Sequence, residues 1–192
     1  MHYSLNTTNK CDWDCKYCIV DVHNQPIKPI EEVLKDLDTL TSKDSLSFAG
    51  GEPGMLSKSD VTLLFDKLKI INPEHIELLT NGLFIKKHAD FLHLIDSIDY
   101  HCVDSLNDEI QFPDLDQNYV EYVIVVTEEE YPLLDKFLEK YKFIPKFNII
   151  GSREVQPMSM KTKLKMVMKY RDRMTDNSLK VNLSPECNSL GY

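Results

Sequence analysis

The chain has 192 residues, of which 42% are apolar, and this composition excludes a largely disordered protein. Its 22 basic and 31 acidic residues give a formal net charge of −9, so phosphates would be repelled and binding to nucleic acid or an anionic membrane is not expected. No apolar stretch approaches the roughly 18 residues of a membrane span, and no signal peptide is visible. We therefore expect a soluble, cytoplasmic protein.

Strand and helix patterns alternate from the start of the chain to its end. The apolar periodicity predicts strands at 2–7, 46–49, 75–80, 98–103, 120–126, 147–150 and 179–183. It predicts helices at 29–41, 58–71, 84–95, 127–141 and 158–174. Between the fourth and fifth strands, residues 106–118 are expected to form an inserted loop. Thr127 and Glu130 predict a capping box at the start of the fourth helix.

The alternation of strands and helices has a consequence for the fold class. Strands separated by helices form right-handed βαβ units and a parallel sheet. A complete eight-unit barrel needs about 250 residues, whereas this chain has room for about six units. We expect an α/β fold, an open (βα)6 partial barrel that forms a single domain over 1–192. A doubly wound sheet is the alternative.

Three of the five cysteines, Cys11, Cys15 and Cys18, lie within eight residues of one another, directly after the first predicted strand. A disulfide framework would spread its cysteines, so this clustering indicates a metal site. Thiolates suit iron–sulfur clusters and zinc equally well. A zinc site would need a fourth ligand, for which His23 is the nearest candidate. A [4Fe–4S] cluster on three cysteines would leave one iron open to another ligand.

The cysteine motif and two later motifs carry a resemblance to a known family. Cys-x3-Cys-x2-Cys, with the aromatic Tyr17 before its last cysteine, resembles the signature of the radical S-adenosylmethionine (SAM) superfamily. Ser47-Phe48-Ala49-Gly50-Gly51-Glu52-Pro53 is similar to the Gly-Gly-Glu-Pro motif at the end of its second strand. Thr80-Asn81-Gly82 is similar to the motif that often ends its third strand. The order and spacing of the three motifs match those of the superfamily.

This resemblance implies a reaction and its cofactors. Cys11, Cys15 and Cys18 would ligate three irons of a [4Fe–4S] cluster, and the amino and carboxylate groups of SAM would chelate the fourth. An external one-electron donor of the flavodoxin or ferredoxin type would reduce the cluster. Reductive cleavage of SAM would then give a 5′-deoxyadenosyl radical that abstracts hydrogen from a substrate.

The same resemblance assigns a group of residues to SAM binding. Gly50, Gly51, Glu52 and Pro53 lie at the carboxyl end of a strand, where parallel sheets bind ligands. The glycines would let the backbone approach a bound amino group, and the negative charge of Glu52 would suit the SAM ammonium.

Four further residues are candidates for contact with SAM. Tyr17 is expected to pack against the adenine or the cluster, or else to cap the core beneath the loop. Asn81 would contact SAM or form only a turn with Gly82. Asp104 and Ser105, after the fourth strand, would bind the ribose or the carboxylate. Strand parity would let only one of these two point inward.

Polar residues that alternate along the predicted strands give an indication of where a substrate would bind. His2, Ser4 and Asn6 share one parity, and so do Lys180, Asn182 and Ser184. His75 and Glu77 share a parity on the third strand, which is not an edge strand. If these parities face the interior, the barrel could hold a small polar or peptide substrate, and Glu77 is the candidate catalytic residue. The alternative is that the residues of the first and last strands are exposed at the sheet edges.

The subfamily is left open by the sequence. The small size resembles 7-carboxy-7-deazaguanine synthases and glycyl-radical activating enzymes, but Ile19-Val20 and Lys10 depart from their usual residues. A non-catalytic metal-binding module is the alternative of another class, and Gly50-Gly51-Glu52-Pro53 weighs against it. Cys102 is expected to be a buried small hydrophobe, and Cys187 an ordinary packing or surface thiol.

Overall fold

The computed structural model describes residues 1–18, 28–113, 115, 119–144, 147–151, 158–176 and 179–182. Its strands are β1 (His2–Thr8), β2 (Ser45–Gly50), β3 (His75–Thr80), β4 (Ser97–His101), β5 (Val120–Val126), β6 (Phe147–Gly151) and β7 (Leu179–Asn182). They form one seven-stranded sheet in the order β1-β2-β3-β4-β5-β6-β7. All six neighbouring pairs are parallel.

This strand order decides between the two predicted architectures. In a doubly wound sheet the order reverses near the middle, whereas here every strand pairs with the one that follows it in the chain. Within the described residues no pairing joins β1 to β7, so the sheet is open. The partial barrel predicted from the sequence is confirmed.

The helices are α1 (Ile30–Asp36), α2 (Lys58–Ile71), α3 (Leu83–Lys87), α4 (Leu134–Lys140) and α5 (Met160–Thr175). In α2 the hydroxyl of Ser57 accepts a hydrogen bond from the amide of Asp60 at 3.1 Å, which caps the helix start. The helix ends at Asn72, whose φ of 52° places it in the left-handed region immediately before Pro73. No helix in the described part of the chain is long and apolar enough to cross a membrane.

Three predicted helices are shorter than expected. The segment predicted at 29–41 forms α1 and then a 3-10 turn over Leu37–Thr39. The segment predicted at 84–95 divides into α3 and a 3-10 turn over Ala89–Leu94. The break is at His88, which leaves helical geometry and places its imidazole 3.2 Å from the carbonyl of Leu56. Ahead of α4 the chain makes a 3-10 turn over Tyr131–Leu133. The capping box does form, with Glu130 N donating to Thr127 Oγ1 at 3.2 Å, but it precedes this turn.

The two faces of the sheet differ in chemistry. Residues on the helix-packed face are apolar and buried; they include Phe48, Leu78, Ile98, Tyr122 and Ile149. Phe48, for example, makes an edge contact with Phe65 of α2, with ring centroids 5.5 Å apart. The opposite face has a row of polar partners, in which Ser4 pairs with Ser47, Ser47 with Glu77, and Glu77 with Ser97. The barrel interior is therefore polar near its first four strands.

Candidate active site

The cysteine loop, residues 9–18, follows β1 directly and carries Cys11, Cys15 and Cys18 as half-buried thiols. A turn closes its end, with Cys18 N donating to Cys15 O at 2.9 Å. Burial raises the pKa of Cys11 to about 11. Burial also raises the pKa of Cys15. Without a metal both thiols stay protonated at neutral pH, so binding a metal would release protons.

The glycine pair at the end of β2 packs against the start of the cysteine loop. A Cβ atom on Gly50 would collide with the side chain of Asn6 and the backbone of Thr8, and one on Gly51 would collide with Lys10 O. Gly50 also has a φ of 105°, which favours glycine. Gly51 N donates to Thr8 O at 2.6 Å. The glycines therefore let β2 approach the loop closely; their contact with SAM stays a prediction.

Glu52 is buried at the point where three segments meet. Its Oε1 atom accepts hydrogen bonds from Gly54 N at 2.8 Å, Thr80 Oγ1 at 2.8 Å and Phe84 N at 3.0 Å. Its Oε2 atom accepts one from Asn81 N at 2.8 Å. Burial raises the pKa of this carboxyl, and the donated hydrogen bonds oppose that rise.

The hydrogen bonds of Glu52 add a role to the one that the sequence predicted for it. Both carboxylate oxygens accept hydrogen bonds from protein groups, and contact with the SAM ammonium stays a prediction. The structure therefore gives Glu52 a bracing role between the end of β2, the end of β3 and the start of α3. Pro53, which is also buried, begins the 3-10 turn Pro53–Met55 beside it.

Asn81 lies between β3 and the cysteine loop. Its Nδ2 atom donates to Asp12 Oδ1 at 2.7 Å and lies 3.8 Å from Cys11 Sγ. Its Oδ1 atom accepts from Leu83 N at 3.1 Å, at the start of α3. Of the two predicted roles, the turn is therefore present, and the same side chain also holds the loop. Contact with SAM stays untested.

The end of β4 differs from the sequence prediction. The strand ends at His101, so Asp104 and Ser105 lie in the following turns and strand parity does not decide their direction. Asp104 lies beside Cys15, where its hydrogen bond and charge add to the burial that raises the pKa of that thiol. Ser105 Oγ donates to Glu130 Oε1 at 2.8 Å, which ties this turn to the capping box.

Tyr17, near the end of the cysteine loop, packs on the imidazole of His101, with ring centroids 5.9 Å apart. Burial lowers the pKa of His101 to about 4, so this imidazole is neutral at pH 7. The sequence analysis missed His101. Its signal was the shared parity of Ser97, Asp99 and His101, the same signal that singled out Glu77.

On the interior face of the sheet the structure brings the predicted polar residues together. Ser47 donates to Glu77, and Ser47 Oγ lies 2.8 Å from His2 Nε2. Several other polar atoms of this face are shielded from solvent without a hydrogen-bond partner in the described structure: Ser4 Oγ, Asn6 Oδ1, His101 Nε2 and Asn148 Oδ1. Such atoms are rare in folded proteins, and a bound water, ion or ligand can satisfy them.

Two cavities flank the cysteine loop. The larger, of about 840 Å³, is lined by residues that include Asp12, Trp13, Asn81, Tyr100, Asp104 and Phe112. The smaller, of about 250 Å³, lies between Tyr17, Asp104, Ser105 and Glu130. The larger volume lies within the range of about 300–1,000 Å³ that is typical of small-molecule sites, and the smaller lies just below that range. Asp104 borders both cavities.

The remaining cysteine and histidine predictions have separate outcomes. Cys102 is 3% exposed, which confirms that it is a buried small hydrophobe. Cys187, His23 and Ser184 lie outside the described residues.

Comparison with known proteins gives matches at several levels. The family model of the Radical SAM superfamily matches residues 5–139. The chain is 28% identical over 98 residues to the S-adenosylmethionine-dependent nucleotide dehydratase RSAD2 of Siniperca chuatsi. The aligned region covers 46% of this chain and 27% of that protein.

Solved structures show the same fold at low sequence identity. Native anSMEcpe with bound AdoMet has a TM-score of 0.64 and 16% identity, over 94% of this chain and 63% of the other. Streptococcus suis SuiB bound to S-adenosylmethionine has a TM-score of 0.56 and 18% identity, over 95% of this chain and 50% of the other. The chain thus spans only part of each relative. Because the family model covers more than half of its residues, the chain belongs to the Radical SAM superfamily.

Proposed function

We propose that this protein is an enzyme that reductively cleaves SAM at a [4Fe–4S] cluster held by Cys11, Cys15 and Cys18. The observation that carries the proposal is the packing of the cysteine loop against the two other superfamily motifs. Glu52 N donates to Lys10 O at 2.7 Å, and Asn81 reaches both Asp12 and Cys11. The loop is therefore braced by the residues that the resemblance assigns to SAM.

The residues present fit an iron–sulfur cluster. Three thiols share one loop, and Trp13 N donates to Cys11 Sγ at 3.4 Å, which would stabilise a thiolate. Among the described residues, no three His, Cys, Asp or Glu side chains converge on a point that could hold a single metal ion. When bound, the cluster supplies the electron and an open iron for SAM.

The two cavities beside the loop support a binding place for SAM. Both are bordered by Asp104, which the resemblance assigns to the ribose or carboxylate of SAM. The larger one also reaches Asn81 and Asp12, next to Cys11. We propose that SAM lies across this end of the barrel, with its amino acid part toward the cysteine loop.

The polar interior face supports a substrate bound beneath SAM. Glu77, Ser4 and Asn148 face the same side of the sheet as His101, whose ring lies under Tyr17. We propose a small polar or peptide substrate there, with Glu77 as a catalytic residue. Two relatives suggest classes to test, since RSAD2 is described as a nucleotide dehydratase and anSMEcpe was solved with a bound peptide. A cytoplasmic location and an electron donor of the flavodoxin or ferredoxin type complete the proposal.

The test is an anaerobic SAM-cleavage assay. Protein reconstituted with iron and sulfide receives dithionite and SAM, and 5′-deoxyadenosine and methionine are quantified. We expect both products in equal amounts from the wild type and none from a Cys15→Ala variant. Iron-loaded wild-type protein that yields neither product would instead support the non-catalytic metal-binding module.

A further inference from the structure

The side-chain amide of Asn81 makes contacts through both its nitrogen and its oxygen. One Nδ2 hydrogen points to Asp12 Oδ1 at 2.7 Å, and the other is available to Cys11 Sγ at 3.8 Å. The Oδ1 atom accepts from Leu83 N at 3.1 Å, which fixes the direction of the amide group. Since the oxygen is held by Leu83, the NH2 group faces the cysteine loop.

The backbone of Asn81 is fixed independently of its side chain. Its amide N–H donates to the buried carboxylate of Glu52 at 2.8 Å. Glu52 also accepts from Thr80 Oγ1 and Phe84 N, the residues on either side of the Asn81 turn. Hydrogen bonds to a buried carboxylate are strong and directional, so Asn81 cannot swing away without leaving that carboxylate unsatisfied.

A hydrogen bond to a thiolate ligand stabilises the more negative state of an iron–sulfur cluster and so raises its reduction potential. A nearby carboxylate does the opposite, because it repels the added electron. Around Cys11 both effects meet: Trp13 N and Asn81 Nδ2 point at Sγ, and the Asp12 carboxylate lies beside them.

We propose that Asn81 is a positioning residue that tunes the cluster: it holds the Cys11 thiolate by a hydrogen bond and keeps Asp12 at a fixed place beside it. The proposal rests on the proposed function, in which Cys11 ligates the cluster. In this proposal Glu52 fixes the backbone of Asn81. The Glu52 side chain thereby links the Gly-Gly-Glu-Pro motif to the reduction potential of the cluster.

Two substitutions should shift the potential in opposite directions. Asn81→Ser keeps an acceptor for Leu83 N but removes the amide donors, so the one-electron reduction by dithionite should become harder. Asp12→Asn keeps an acceptor for Asn81 Nδ2 and removes one negative charge, so the reduction should become easier. A loss of loop packing alone would not produce shifts of opposite sign.

The experiment is a mediated redox titration of anaerobically reconstituted proteins, followed by electron paramagnetic resonance, with iron and sulfide contents measured on the same samples. At the wild-type midpoint we expect Asn81→Ser to reduce the ratio of reduced to oxidised cluster roughly tenfold, which is ~59 mV for a one-electron couple. Asp12→Asn should raise that ratio. Asn72→Ser, the same substitution at an exposed asparagine at the end of α2, is the matched control and should not change it.

The outcomes separate this inference from the proposed function. If the wild type forms no [4Fe–4S] cluster, the proposed function fails. If the wild type forms it and both variants keep the wild-type potential, or shift it in the same direction, the tuning role of Asn81 is overturned. If Asn81→Ser does not bind iron, Asp12→Asn decides alone, and an unchanged potential in that variant also overturns the proposal.

Discussion

Ser47 donates a hydrogen bond to Glu77 across the β2–β3 pair, on the face of the sheet opposite the helices. Ser47 is 2% exposed, and its hydroxyl also contacts His2 Nε2 at 2.8 Å. A hydroxyl that donates to Glu77 must accept from His2, so the three groups form a directed chain from the open edge strand to the third strand. The Glu77 carboxylate is thereby held in one orientation inside the barrel.

Replacing Glu77 by Gln should abolish substrate-dependent product formation while leaving the cluster intact. The amide keeps the size of the side chain but loses the charge and the ability to exchange a proton. The measurement compares substrate-stimulated 5′-deoxyadenosine formation and iron content, with a nucleotide and a peptide panel as substrates. Glu74→Gln, at an exposed position, is the control. Full stimulation in Glu77→Gln would remove Glu77 from the catalytic proposal.

Replacing Gly51 by Ala should destabilise the protein and disturb the cysteine loop. The added methyl group would collide with the backbone of Lys10, which cannot move aside as a flexible side chain would. Overpacking of this kind costs about 1–3 kcal/mol. Urea unfolding of the metal-free protein measures the cost, and iron content after reconstitution measures the effect on the loop. Lys43→Ala, on the surface, should leave both unchanged; wild-type stability in Gly51→Ala would contradict the packing described.

Replacing Asp44 by Asn should lower the free energy of unfolding by an amount that depends on pH. Hydrogen bonds from Thr41 and the nearby amino terminus lower the pKa of Asp44 from 3.8 to about 2. A lowered pKa in the folded state contributes stability that is present above the unfolded value and is lost as pH falls through the folded value. The difference in free energy of unfolding between wild type and Asp44→Asn should therefore be constant above about pH 4 and shrink toward pH 2. A difference that does not depend on pH over this range would rule out the assigned contacts.

Replacing each of Cys11, Cys15 and Cys18 by Ala should prevent assembly of a [4Fe–4S] cluster, because each is expected to ligate one iron. Cys102→Ala should retain the cluster, since this buried thiol lies outside the cysteine loop and is 3.5 Å from Val123 O. Iron and sulfide contents with absorption spectra of all four variants make the comparison. A cluster retained in any of the first three, or lost in Cys102→Ala, would contradict the ligand assignment.

The sequence predicted those features that local pattern determines. Each strand was located from its apolar run, and the polar row that includes Ser4 and Glu77 followed from alternation alone, because side chains alternate between the two faces of a strand. The motif at Thr80-Asn81-Gly82 was found at the end of β3, where the structure has it.

Features that depend on distant partners could not be predicted. The donors to Glu52 include Thr80 and Phe84, which follow it by 28 and 32 residues, so no local pattern reveals that its carboxylate accepts hydrogen bonds from them. The end of β4 at His101 is likewise set by pairing with β5, where His101 is the last residue in register with Val123. Parity was therefore applied to Asp104 and Ser105, beyond the end of the strand.

The most direct test of three-thiolate ligation is Mössbauer spectroscopy of the protein reconstituted anaerobically with ⁵⁷Fe, recorded before and after addition of SAM. The account predicts a [4Fe–4S] cluster in which SAM changes the signal of one iron and leaves the other three unchanged. A cluster in which SAM leaves the signals of all four irons unchanged, or a loop that binds zinc in place of iron and sulfide, would contradict the account.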